Sequence, residues 1–343
     1  PASEKNIPSN PDRVPLYGDL HVHTKYSFDA YIFGVTATPY DAYKYAIGEA
    51  IKHPLGFDMK LKEPLDFYAV TDHGFYMGMI ENYADTSSKM SKNEWTKPMH
   101  NLNRPENVTV ESLGARADLF SSVLTQAIIK PYPYWHPKVW KAWLTNNIQV
   151  ALQSFDYDVH KSAWADVANA AEEFNDPGKF TTFIGYEFTT STDVEGGNLH
   201  RNVIFNSSDA PIRPWTRIDS INPEDLWTWM DGLRDQGVDS LAMPHNSNGS
   251  NGQMFEVETF RGSPISKEYS EKRMRNEPVV EITQIKGTSD THPLLSPDDE
   301  WADFEIMDKR VGSRPPTYSM PQGGYVRDAF LRGLTLEWKG QGN

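Results

Sequence analysis

The sequence predicts a parallel α/β protein. Two observations carry that expectation. Strand-like and helix-like segments alternate along the chain, and histidines and carboxylates recur where the strand-like segments end. Strands are expected at 14–20, 67–71, 180–188, 202–205, 240–243 and 279–283. Helices are expected at 39–50, 161–174, 223–236 and 264–275, with a further helix-like segment at 325–336. Pro39 and Pro223 suit the first turn of a helix, preceded by Thr38 and Asn222 as N-caps. Asp225 adds a carboxylate close to the second of these helix starts.

Residues 75–160 break the rhythm and read as an insertion after the second strand, a helical lid over the site. Its Tyr132, Tyr134, Trp135, Trp140 and Trp143 either line a substrate pocket or pack the insertion in place. The first thirteen residues, PASEKNIPSNPDR, are polar and proline-rich and read as a flexible segment ahead of a single domain at 14–343.

The stretch GDLHVHTKYSFDAY at 18–31 holds the strongest chemical signal. His21 and His23 are two apart at a strand end, so both imidazoles share a face. Asp29 follows past a turn. Further on, FYAVTDHG ends in Asp72 and His73, FIGYEFT carries Glu187, GGNLHRNVIF carries His200, and LAMPHNSNG carries His245. VVEITQIKGTSDTHP carries Glu281, then Asp290 and His292. Any one of these has an ordinary structural explanation, and His53, His100, His136 and His160 are expected to be of that ordinary kind. Together they are hard to explain by packing. In parallel α/β proteins functional groups gather at the carboxyl ends of strands, and His with Asp or Glu is the donor set of Zn, Mn or Fe. Asp72 is equally suited to orient a ligating histidine.

Arg201 and Lys286 could reach a substrate oxyanion or serve as ion-pair partners. Asn246 and Asn248 could hydrogen-bond a substrate or shape their loop.

Composition narrows the function classes. The 343 residues include 33 Lys and Arg against 47 Asp and Glu, a net charge of −14 that argues against a nucleic-acid scaffold. Cysteine is absent, which excludes disulfides and thiolate metal sites. No apolar run approaches the ~18 residues of a membrane span.

The motifs GDLHVHT, AVTDHG, the Glu of GYEF, the His of MPHN and the VEITQ segment resemble those of the polymerase-and-histidinol-phosphatase (PHP) superfamily. The longer runs HPLGFDMKLKEPLDFYAVTDHG and EITQIKGTSDTHPLLSPDDEWADFE resemble its DUF3604 branch more closely, from about residue 14 to the end. The resemblance implies a distorted (β/α)7 TIM-like barrel with two or three divalent ions. It implies that His21 and His23 hold one ion, that Glu187 bridges to a second completed by His200 and His245, and that Asp29 and His73 hold a third. It also implies a periplasmic or secreted location.

The superfamily closes its site with a D-x-H on a last strand. Here the only D-x-H is Asp290 and His292, directly after the Glu281 segment. The reading adopted is that the last barrel element is absent from this chain and supplied by a downstream segment or a second chain, with Asp290, His292 and Glu281 shaping access.

The expected function is metal-dependent hydrolysis of a small anionic phosphoester by a metal-bridging hydroxide, with Glu187, Arg201 and Lys286 at the chemistry. Hydrolysis of another ester or amide, such as a sulfate ester, is the alternative. A degenerate barrel that binds metal or ligand without turnover is a third reading.

Overall fold

The computed structural model describes residues 13–127, 155–192, 196–310 and 317–341. The chain forms two compact units, one of residues 1–186 and 204–214, the other of residues 187–203 and 215–343.

In the first unit, β1 (Gly18–Val22) leads into a short helix, α1 (Phe28–Ile32), and then α2 (Pro39–Ala46). α2 starts where its cap predicts. The Thr38 hydroxyl accepts from the Asp41 N–H at 3.1 Å, and the Asp41 carboxylate accepts from the Thr38 N–H at 2.9 Å. It stops before the expected residue 50, because Gly48 turns left-handed at φ 81° and its N–H bonds back to the Tyr45 carbonyl. β2 (Ile51–Lys52) and β3 (Asp58–Met59) form a small antiparallel hairpin. β4 (Phe67–Val70) then pairs parallel with β1, its end placed beside that of β1 by Val22 opposite Val70.

The described part of the 75–160 insertion begins with α3 (Met79–Ala84), runs through 3-10 turns, and ends in α4 (Leu113–Ala127). It packs on α1 through a core that includes Phe28, Ile32, Phe75, Met79 and Tyr83. Buried Arg116 ties the turns together, donating to the carbonyls of Ile32, Leu102 and Asn107. His136 and the aromatics Tyr132, Tyr134, Trp135, Trp140 and Trp143 lie outside the described residues. α5 (Tyr157–Phe174) begins four residues ahead of the expected start because Asp156 caps it, accepting from the N–H groups of Asp158 and Val159. β5 (Thr181–Thr182) pairs parallel with β4, giving the order β1-β4-β5.

The second unit is built on β6 (Gly185–Phe188), β7 (Arg201–Phe205) and β8 (Ser240–Pro244), a three-stranded sheet with β7 central. The division between units falls inside β6 and β7. Between β7 and β8 lies α6 (Pro223–Arg234), with Asn222 accepting from the Glu224 N–H at 2.9 Å as its cap. α7 (Lys267–Asn276) follows, then a hairpin of β9 (Thr283–Gln284) and β10 (Gly287–Thr288), and finally α8 (Val326–Trp338).

The local βα units match the expectation of an α/β protein, but the (β/α)7 barrel does not stand. The strands fall into two three-stranded and two two-stranded sheets, and none closes on itself among the described residues. Two departures explain this. The expected strand at 180–188 is two strands, β5 in the first sheet and β6 in another. The expected strand at 279–283 is largely irregular, attached through the Glu281 N–H to the Pro244 carbonyl, with Val279 and Ile282 each 48% exposed. The expectation of a missing last barrel element falls with the barrel.

Removing the α2 cap by Thr38→Ala should cost about 1 kcal/mol, read as a lower midpoint in chemical denaturation with an unchanged slope.

Candidate metal centre

Potential ligands occur in both units: His21, His23 and His73 in the first, Glu187 and His245 in the second. Each unit's set is built by its own strand ends.

In the first unit, His21 sits in β1 with its N–H on the Asp19 carboxylate at 2.8 Å, and His23 follows directly after the strand. Their rings are 5.3 Å apart, and the His73 ring is 4.5 Å from that of His23. The parallel pairing of β1 with β4 is what delivers His73 to this place. Asp29, in the first turn of α1, brings Oδ2 to 3.2 Å from His73 Nε2. The structure therefore brings together all four predicted residues of this unit.

Beneath them lies Asp72, which has no exposure. It accepts from the Thr24 N–H and hydroxyl, both at 2.6 Å, and from the Ser27 hydroxyl at 2.7 Å. Burial pushes its carboxyl above the usual range, against these bonds and the nearby His23. Asp72 is thus an orienting group. Ser27 has one proton, and giving it to Asp72 leaves its oxygen to accept from His23 Nδ1 at 2.7 Å. That assignment puts the His23 proton on Nδ1 and turns the Nε2 lone pair outward, the arrangement a metal ligand needs. The same Ser27 oxygen accepts from the His73 N–H at 3.0 Å. Sequence reasoning missed Ser27 and Thr24; the signal was their hydroxyls in the turn just after the His-x-His pair.

In the second unit, Glu187 of β6 is fully buried. Its Oε1 lies 2.6 Å from His200 Nδ1 and accepts from the Thr189 hydroxyl at 3.0 Å. Its Oε2 lies 3.5 Å from His245 Nε2. His200 directly precedes β7 and His245 directly follows β8, with ring centroids 5.8 Å apart and the His245 N–H on the His200 carbonyl. A carboxylate and two imidazoles converge here, in a place where an unanswered negative charge would be costly.

The two asparagines after His245 part company. Asn248 is fully used, donating to the carbonyls of Lys286 and Met307 and accepting from the Ser289 hydroxyl. Asn246 is 1% exposed, and neither atom of its amide has a partner among the described residues. Its backbone is left-handed at φ 51°, a conformation asparagine tolerates better than most. A buried amide without a partner costs free energy, and here it lies directly after His245. Asn198 resembles it: its Oδ1 accepts from the His200 N–H while its Nδ2 is buried without a partner among the described residues.

The remaining candidates have other commitments. Buried Arg201 is ion-paired with Glu277 and donates to the Leu199 carbonyl. Lys286 occupies the turn between β9 and β10. Glu281 accepts from the Gln284 amide at 2.8 Å and is bound through its backbone to Pro244, the residue before His245. Asp290 pairs with Arg327 of α8 at 2.7 Å. His292 accepts from the Leu294 N–H at 3.1 Å and rests near the Tyr325 ring. His160, expected to be ordinary, is buried with Nε2 on the Gly74 carbonyl.

The family described as "Protein of unknown function (DUF3604)" matches residues 10–343. No curated protein and no solved structure matches the chain.

Two outcomes check this geometry. Asn248→Ala should destabilise the protein by about 1–3 kcal/mol, whereas Asn246→Gly should stay within about 1 kcal/mol of wild type in the same denaturation series. Ser27→Ala should weaken Zn or Mn binding by about 10–100-fold in a chelator competition, because His23 loses the partner that fixes its tautomer.

Proposed function

The chain belongs to the DUF3604 family, whose function is not established, and from the chain's own residues we propose that it is a metal-dependent hydrolase acting on small phosphoesters. The observation that supports this reading most is Glu187, a carboxylate without exposure flanked by the imidazoles of His200 and His245. A divalent cation on these three would supply the charge that makes such burial tolerable. His21, His23, His73 and Asp29 offer a second set of the same chemistry, so two or three ions of Zn, Mn or Fe are proposed. Bound ions would supply a water acidic enough to attack near neutral pH and positive charge opposite the oxygens that gain electrons.

The protein's part is placement. Ser27 and Asp72 hold the His23 tautomer, and Thr189 holds Oε1 of Glu187. Asn246 is assigned to the substrate, its buried amide donating to a non-reacting oxygen. Arg201 is not given a chemical role, since Glu277 already engages it. With a net charge of −14 on the chain, an anionic substrate depends on the local cations for its attraction, which favours small molecules over polyanions. A relation to the PHP superfamily, at the level of the ligand motifs, belongs to the same proposal, as does export to the periplasm or beyond. No helix among the described residues is long and apolar enough to cross a membrane.

The test is metal analysis of the purified chain together with turnover of an aryl phosphate, a phosphodiester and an aryl sulfate, before and after chelation. The expected result is bound divalent metal and phosphoester hydrolysis that chelation abolishes and metal restores. Turnover of the sulfate alone would replace the substrate class. Metal without turnover would leave a binding protein, and a chain that takes up no metal would overturn the reading. Glu187→Gln should lose metal and lower turnover by more than the ~100-fold typical of outer-sphere partners, with the circular dichroism spectrum unchanged.

A further inference from the structure

The loop that follows His73 is held by a residue outside the ligand set. Every residue from 71 to 80 is buried. A buried loop has no water to satisfy its backbone, so its carbonyls and N–H groups depend on neighbouring elements. This one also carries strain. Tyr76 is left-handed at φ 60°, a backbone that an aromatic residue keeps only where its surroundings hold it there.

The start of α5 supplies the hold. His160, in its first turn and 3% exposed, places Nε2 2.6 Å from the Gly74 carbonyl. A carbonyl only accepts, so this nitrogen carries the proton and donates. The His160 ring lies 5.3 Å from that of Phe155, which in turn meets the ring of the strained Tyr76 at 5.7 Å. Further along α5, Ala163 backs directly onto the end of the loop: a Cβ added at Gly78 would stand 2.8 Å from its own. The other anchor is the turn after β1. The His73 N–H donates to the Ser27 hydroxyl at 3.0 Å, and the Gly78 N–H to the Tyr26 carbonyl at 2.9 Å. Gly74 follows His73 directly and has no side chain to anchor it. The path by which the chain leaves His73 is therefore set by what the Gly74 carbonyl meets, and that is His160, 86 positions away.

We propose that His160 is a positioning residue for the metal ligands of the first unit, holding the chain at Gly74 so that His73 stays beside His23 and Asp29. The ring of His73 lies 4.5 Å from that of His23, and its Nε2 3.2 Å from Asp29 Oδ2, so a small shift of the loop would part them. The inference rests on the metal reading proposed above.

The experiment compares His160→Gln, which keeps a donor in place of Nε2, with His160→Leu, which fills the space and donates nothing. Chelator competition with Zn or Mn reads the affinity, with His73→Ala marking the ion to be followed. Amide hydrogen exchange of residues 73–78 in the metal-free chain reads the loop itself. The leucine variant should bind that ion about 10–100-fold more weakly than wild type and exchange faster at 73–78, and the glutamine variant should recover most of both. In wild type, the His160 Nε2 proton should be visible by NMR and should shift when metal is added, a readout that stands should the leucine variant misfold. Unchanged affinity in the leucine variant, equal losses in both variants, or a His160 proton indifferent to bound metal would each overturn the proposal and leave the hydrolase reading standing. A wild-type chain that binds no metal would overturn both.

Discussion

Carboxylates that water cannot reach organise both ligand sets. Asp72 and Glu187 have no exposed surface, and each must be met by the groups around it. Asp72 draws in the backbone and hydroxyl of Thr24 and the hydroxyl of Ser27, which folds the turn after β1 into one shape. That turn fixes where His23 faces and where α1 begins, and α1 carries Asp29 to His73. Glu187 works through the sheet. Its strand, β6, neighbours β7, and β7 neighbours β8, so histidines at the start of β7 and the end of β8 meet the carboxylate from two sides.

Much of this was legible because its cause is local. Thr38 and Asn222 cap the helices their proline neighbours announce, since the cap is decided within four residues. Glu187, His200 and His245 were legible because strand ends converge in a sheet regardless of the loops between them. What could not be read is what depends on distant partners. Nothing near residues 183–184 signals that one apolar run is shared between two sheets. Arg201 and Glu277 are 76 residues apart, and the choice between an oxyanion contact and an ion pair rested on that unseen neighbour. Asn246 and Asn248 look alike in sequence, and only the carbonyls of Lys286 and Met307, delivered by later segments, distinguish them.

The barrel expectation failed for a related reason. Alternating strands and helices dictate local βα units, and those are present. Closure is a property of the whole set of pairings, and it requires each strand to be long enough to bond on both edges. β5 has two residues, and the segment around Glu281 holds to Pro244 by a single backbone bond. Local pattern cannot report such shortfalls.

The division of the chain has a consequence for how the protein can be dissected. Neither unit is a continuous stretch: the first needs residues 204–214, which arrive after the second has begun, and the second needs 187–203, which come before the first is finished. No single cut parts the two units cleanly. A cut after residue 214 leaves the first unit carrying 187–203 of the second, and a cut before residue 187 leaves the second carrying 204–214 of the first.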